Sequence, residues 1–108
     1  MSDGYLVLCT VPDEEVAERL AKGLVGARLA ACVNVVPAIR SFYRWEGEVR
    51  DDAELLLVIK THPDRYAALE AWLLDAHPYD VPEVIALPIE QGSARYLGWI
   101  TAETRPLE

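Results

Sequence analysis

The pattern of apolar and polar positions predicts one long hairpin in the middle of the chain, over residues 30–61. Its second limb ends in a continuous apolar run at residues 55–59, as in a strand that is buried on both faces. A tight turn at residues 45–48 is expected to join the limbs. The first limb is rich in β-branched and aromatic residues, which favour strands: Val33, Val35, Val36, Ile39, Phe42, Tyr43 and Trp45.

This hairpin is too long for a domain of this size. A strand of about 15 residues spans about 50 Å, whereas a compact chain of 108 residues has a diameter of about 34 Å. We therefore expect the hairpin to extend beyond its own domain. Because the overhanging part would carry Trp, Tyr, Phe and Ile side chains, we also expect other copies of the chain to cover it.

The tetrapeptide Thr-x-Pro-Asp occurs twice, at residues 10–13 and 61–64, and each copy follows an apolar strand pattern. Proline presets the backbone of a first helical turn, and aspartate is favourable near a helix N-terminus. Each copy therefore predicts a helix start, with either Thr or Asp as the capping residue. Apolar residues with helical spacing follow both copies.

The predicted order is β-α-β-β-α-β followed by a third helix, which begins after Ser93. The two halves are repeated βαβ units, so the sequence predicts an α+β, ferredoxin-like sandwich. Pro37 has no amide hydrogen to donate to a neighbouring strand, and we expect a bulge or kink there. The last strand is expected at residues 83–89.

Length and composition indicate a single domain, residues 1–108, with enough apolar residues (52%) to form a core. The formal net charge of −8 argues against a nucleic-acid partner, because phosphate binding needs a basic face. The sequence has no apolar run long enough to span a membrane, and its first residues lack signal-peptide features. We therefore expect a cytoplasmic protein with reduced cysteines. Because the sequence has no Gly-rich phosphate loop, nucleophile elbow or His-Glu-x-x-His motif, we expect no enzymatic activity.

Cys9 and His77 are the first candidate metal ligands, because thiolate and imidazole suit copper and zinc. Each also has a structural interpretation: Cys9 as a small buried apolar residue, and His77 as a partner for carbonyl groups at a helix end. Asp80 and Glu83 follow in a stiff segment with two prolines and could add carboxylate ligands. That segment could equally be a rigid turn that orders the last strand.

Lys60, Tyr79 and Trp45 are candidate residues for a small-molecule ligand. The Lys60 ammonium is expected near a helix start, where it could bind an anion or the Glu83 carboxylate; an ordinary solvent-reaching lysine is the alternative. Tyr43 and Trp45 suit an interface between subunits, and could also line a cleft between subunits with Lys60 and Tyr79. The acidic residues between positions 48 and 54 are interpreted as a solvated strand face.

Several short motifs occur in a fixed order along the chain. They are Leu-Ala-Ala-Cys-Val-Asn at residues 29–34, Tyr-x-Trp-x-Gly at 43–47, Leu-x-Ile-Lys-Thr at 57–61 and His-Pro-Tyr-x-Val-Pro-Glu at 77–83. Each motif alone is weak evidence. The ordered set, over about residues 5–103, closely resembles the CutA divalent-cation tolerance proteins.

The resemblance implies a ferredoxin-like homotrimer whose hairpins interlock between subunits, an architecture similar to that of PII signalling proteins. It also implies a link to tolerance of copper and other divalent metals. Some family members have a second histidine directly before the His-Pro-Tyr segment, where this chain has Ala76. One expected copper ligand is therefore missing.

Three hypotheses remain open at this point. The first is a cytosolic homotrimer that binds divalent cations, copper above all, through Cys9 and His77 with Glu83 or Asp80. The second is a PII-like signalling trimer that binds a small anionic ligand in clefts between subunits. The third is a scaffold trimer whose only task is assembly.

Overall fold

The computed structural model describes residues 3–107, and its elements follow the predicted order. They are β1 (Tyr5–Val11), α1 (Glu14–Gly26), β2 (Cys32–Trp45), β3 (Glu48–Thr61), a short 3-10 turn (Pro63–Arg65), α2 (Tyr66–Ala76), β4 (Ile85–Pro88) and α3 (Ala94–Glu103). One sheet has the strand order β2-β3-β1-β4, and neighbouring strands are antiparallel. Each βαβ unit therefore encloses a strand of the other unit, which confirms the α+β, ferredoxin-like prediction.

The core lies between one face of the sheet and the helices α1 and α2. Alternate residues of the strands enter it, as the two-residue repeat of a strand requires, and each helix contributes an apolar stripe. Its fully buried members include Val7, Cys9, Val11, Leu57 and Ile59 from the strands and Leu20, Leu24, Leu69 and Leu73 from the helices. The opposite face of the sheet, here called the open face, carries apolar side chains that stay partly exposed: Leu6, Leu8, Leu56, Val58, Ile85 and Leu87.

The two Thr-x-Pro-Asp segments begin their helices in different ways. In the first, Asp13 is the N-cap of α1 and accepts a backbone hydrogen bond at 2.9 Å. In the second, His62 caps the 3-10 turn, and the Thr61 hydroxyl instead donates to the Leu29 carbonyl at 2.6 Å. Helix α2 then begins only at Tyr66. The two halves thus share a strand-to-helix turn but not its cap.

The hairpin extends beyond the core, as predicted. Strands β2 and β3 have 14 residues each, and the molecule is 44 Å in its longest dimension. Glu46 and Gly47 form the turn with φ angles of 51° and 78°, the backbone of a type I′ hairpin turn. Near the tip, Phe42 and Val49 are 64% and 70% exposed.

A bulge follows Pro37, also as predicted. Ile39 lies opposite Glu54, although the pairing before the bulge would place Ala38 there, so β2 contains one extra residue. Ala38 has a φ of 59°. Because the extra residue shifts the alternation by one, odd-numbered positions of β2 face the helices before the bulge and the open face after it.

The last strand is shorter than predicted, Ile85–Pro88 rather than residues 83–89. It pairs with β1 only as far as Leu8, because the Thr10 carbonyl beyond is hydrogen-bonded to His77. Ser93 caps α3 as expected, and Ile100 is fully buried. None of the helices in residues 3–107 is long and apolar enough to cross a membrane.

Candidate functional site

A cavity of about 690 Å³ lies where the hairpin leaves the body of the domain. We call it the hairpin pocket. Its lining comes from β1, the outer part of the hairpin and the segment after α2: Thr10, Ser41, Phe42, Tyr43, Trp45, Glu54, Pro78, Tyr79, Asp80, Val81 and Glu83. The structure therefore brings together Trp45, Tyr79, Asp80 and Glu83, which the sequence marked as candidate site residues.

His77 holds the segment that follows α2. Its Nδ1 atom accepts a hydrogen bond from the Tyr79 amide at 3.1 Å, so the proton lies on Nε2, which donates to the Thr10 carbonyl at 2.8 Å. The ring is buried, with its centroid 4.7 Å from that of Tyr79. Both ring nitrogens are thus occupied, and His77 can bind a metal only if one of these bonds breaks.

Tyr79 links this segment to the hairpin. Its hydroxyl donates to Glu54 Oε2 at 2.6 Å, and Glu54 is only 8% exposed. Burial, and then the hydrogen bond and the charge of Glu54, raises the pKa of Tyr79. The phenol therefore stays protonated at neutral pH and satisfies an oxygen that would be costly to bury alone.

A second pair of tyrosine and carboxylate follows on the same strand face. The Tyr43 hydroxyl donates to Asp52, which lies two residues from Glu54 on the open face of β3. That hydrogen bond is the main cause of the raised pKa of Tyr43. Tyr43 and Tyr79 thus direct their hydroxyl groups to carboxylates on one face of β3, and both tyrosines line the pocket together with Trp45.

Cys9 lies on the core side of β1, behind the hairpin pocket. It is fully buried, and its thiol is 3.8 Å from the Thr10 carbonyl oxygen. Burial, and then the charges of Glu83 and Glu54, raises the pKa of Cys9 to about 12. Metals bind the thiolate, whereas this thiol is protonated at neutral pH.

The predicted copper ligands do not fit a ready copper site in this chain. The Cys9 thiol keeps its proton, and both nitrogens of His77 are hydrogen-bonded. Within residues 3–107, no three His, Cys, Asp or Glu side chains are grouped so that they could hold a metal ion. Their arrangement supports the structural interpretations of both residues.

Lys60 lies away from the hairpin pocket. It pairs with Cys32 of β2, whereas the pocket residue Thr10 pairs with Leu56, four residues back along β3 and so about 13 Å away. The Lys60 ammonium donates to the Asn34 side chain. The expected contact between Lys60 and the segment at residues 77–83 is therefore not made within the chain.

Glu54 is a pocket residue that the sequence reasoning missed. It was placed on a solvated strand face, yet the structure buries it. The two-residue alternation of the strand could have indicated this. Glu54 points to the same side of β3 as Leu56 and Val58, which belong to the apolar part of the strand. A carboxylate in step with Leu56 and Val58 is expected beside their apolar side chains rather than on a solvated strand face.

Comparisons with known proteins agree with one another. The family model described as CutA1 divalent ion tolerance protein matches residues 5–103. The divalent-cation tolerance protein CutA of Thermus thermophilus is 52% identical over 99 residues, which cover 92% of this chain and 96% of that protein. The chloroplastic protein CutA 1 of Oryza sativa subsp. japonica is 51% identical over 100 residues, covering 93% of this chain and 56% of the plant protein. The crystal structure of CutA from Xylella fastidiosa superposes with a TM-score of 0.94 at 41% identity, covering 96% of this chain and 100% of that one.

Proposed function

This chain belongs to the CutA1 divalent ion tolerance protein family, and from that premise we propose that it serves cation tolerance as a binding protein rather than as an enzyme. The hairpin pocket is its cation site. Glu54, Asp80 and Glu83 line it, and because they are not grouped closely enough to hold a bare ion together, we propose a hydrated cation that keeps its water ligands and meets single carboxylate oxygens.

The observation that supports this site is the charge of its lining. Glu54, Asp80 and Glu83 face one cavity, and no lysine or arginine is among the described residues that line it. Carboxylate oxygens suit hard cations, and such ions keep several water ligands where a protein supplies few. A copper-specific site built on Cys9 and His77 has less support, because neither side chain offers a free donor atom.

We also propose that the chain works as a homotrimer of single-domain subunits whose hairpins interlock. The support is apolar surface that one subunit leaves exposed on its hairpin and its open face: Val36, Phe42, Trp45, Val49, Ile85 and Leu87. Exposed apolar side chains in this number, on both faces of the hairpin and on the open face, mark an interaction site. A second copy of the same chain supplies a matching surface.

The alternative role, a PII-like signalling trimer, needs a site for a small anionic ligand. Lys60 was the residue expected to supply positive charge, and it lies at the other end of β3. The carboxylate lining of the hairpin pocket repels an anion. We further propose a cytoplasmic location, which fits the free thiols of Cys9 and Cys32.

Titration calorimetry of the full chain with Mn²⁺, Zn²⁺ and Cu²⁺ tests the cation site. We expect Glu83→Gln to weaken Mn²⁺ binding about tenfold, because one charged contact is lost. Glu90→Gln removes an exposed carboxylate outside the pocket and should change nothing. Cys9→Ser should leave Cu²⁺ affinity unchanged. If Cys9→Ser abolishes Cu²⁺ binding and Glu83→Gln has no effect on any of the three ions, the cation site is at Cys9 and the hairpin pocket is not that site.

A further inference from the structure

The hairpin pocket contains aromatic rings that a bare metal ion does not use. Tyr43, Trp45 and Tyr79 line it together with the carboxylates. Its volume of about 690 Å³ falls within the range of sites for small organic molecules. The Phe42 ring is engaged elsewhere, with its centroid 4.9 Å from the Arg40 guanidinium carbon.

The carboxylates of the pocket keep unused acceptor capacity. A carboxylate offers about four lone-pair positions, and the Tyr79 hydroxyl occupies one on Glu54, which lines the pocket. Asp52 lies beside the lining, and the Tyr43 hydroxyl occupies one of its positions. Glu83 adds a carboxylate from the segment after α2. Arg50 follows on the same face of β3 towards the tip, where its guanidinium lies 3.8 Å from Glu48. Acceptors are therefore available for a ligand that brings several N–H donors.

In the part of the chain that the structure describes, the charged side chains that line the pocket are all carboxylates, and Arg50 beside it, whose charge reaches Tyr43, offsets them only in part. The charges of Glu83 and Glu54 act as far as the Cys9 thiol behind the strand, where they add to the effect of burial in raising its pKa. A positive ligand gains from this field, and a negative ligand is repelled by it.

We propose that the hairpin pocket binds a primary organic ammonium ion, with its ammonium group at Glu54 and Glu83 and its apolar body against Trp45 and Tyr43. A primary ammonium has three N–H donors for the free carboxylate positions. Aromatic rings pack against apolar groups and attract a cation that lies near their faces, so Trp45 and Tyr43 suit the body of such a ligand. The inference rests on the proposed function in one respect, since both place a cation at these carboxylates.

Titration calorimetry of the full chain with benzylammonium, and with benzyl alcohol as its neutral analogue, tests this inference at pH 7, where a primary amine is protonated. We expect saturable binding of benzylammonium and binding of benzyl alcohol that is at least about tenfold weaker. Glu54→Gln keeps an oxygen for Tyr79 and should weaken benzylammonium binding about tenfold, whereas Glu90→Gln should not. Because Glu54 is buried, the exposed Glu83→Gln is the second variant if the first does not fold.

Equal binding of the two compounds would overturn the inference, as would equal effects of Glu54→Gln and Glu90→Gln. In NMR spectra, benzylammonium should shift the indole N–H signal of Trp45 and leave that of Trp72, which packs against the core, in place. A shift of the Trp72 signal alone would also overturn it. Benzylammonium binding without Mn²⁺ binding supports the inference and refutes the metal site; Mn²⁺ binding without benzylammonium binding does the reverse.

Discussion

Replacing Tyr79 with phenylalanine tests the contact that joins the segment after α2 to the hairpin. Tyr79→Phe leaves Glu54 Oε2 without the hydroxyl that now donates to it at 2.6 Å, in a residue that is only 8% exposed. A buried acceptor that loses its partner costs about 1–3 kcal/mol. We expect the free energy of unfolding to fall by about 2 kcal/mol.

Tyr66→Phe is the matched control. The Tyr66 hydroxyl also donates to a glutamate, Glu70, at 2.8 Å, and burial is the main cause that raises the pKa of Tyr66 to about 12. Glu70 lies one turn further along the same helix and is partly exposed, so water can replace the lost donor. We expect this variant to lose less than about 1 kcal/mol.

Urea unfolding followed by tryptophan fluorescence measures both variants, at one fixed subunit concentration because association changes apparent stability. With a slope of about 1.5 kcal/mol per M, the urea midpoint should fall by about 1.3 M for Tyr79→Phe and by less than about 0.7 M for Tyr66→Phe. Equal midpoints for the two variants would refute the argument that Glu54, at 8% exposed, depends more on its tyrosine donor than the partly exposed Glu70 does.

Three further outcomes are expected. Gly23→Ala should lower the free energy of unfolding by about 1–2 kcal/mol, because the new Cβ would lie 2.4 Å from Trp72 Cζ2. The control Gly98→Ala places its Cβ in open space and should be neutral or stabilising; thermal melts compare the two variants. The free energy of unfolding should fall as pH rises above about 9, because the unfolded chain then loses the Cys9 proton that the folded chain keeps up to about pH 12. In urea unfolding, Cys9→Ala should reduce this dependence of the midpoint on pH. Trp45→Ala should dissociate the proposed homotrimer in sedimentation velocity, and an unchanged sedimentation coefficient would exclude Trp45 from the assembly contacts.

Much of the architecture was predictable because its signals are local. Strand alternation, the capping aspartate at Asp13 and the missing amide hydrogen at Pro37 each act within a few residues, and the structure contains the elements they predict. The second Thr-x-Pro-Asp segment differs because the Thr61 hydroxyl is used by the distant Leu29 carbonyl. No local pattern reports that long-range bond.

The site was harder to predict because it depends on how distant segments meet. Lys60 was expected beside residues 77–83, but α2 has 11 residues and carries the chain about 16 Å back along the sheet before that segment begins. Tyr79 and Glu54 are 25 residues apart, and their contact requires both the register of β3 and the anchoring of His77. These conditions are tertiary, so the sequence indicated the residues but not their partners.

The extra residue at Ala38 sets the bend of the hairpin without changing which residues pair beyond it. Ile39 already pairs with Glu54 beyond the bulge, so a chain that lacks Ala38 would keep every pair out to the tip and lose only the bend and added twist. Deletion of this one residue would therefore change the direction of the outer hairpin while the pocket kept its side chains. Evolution, or a protein engineer, could in this way change how subunits are arranged without changing what each subunit binds.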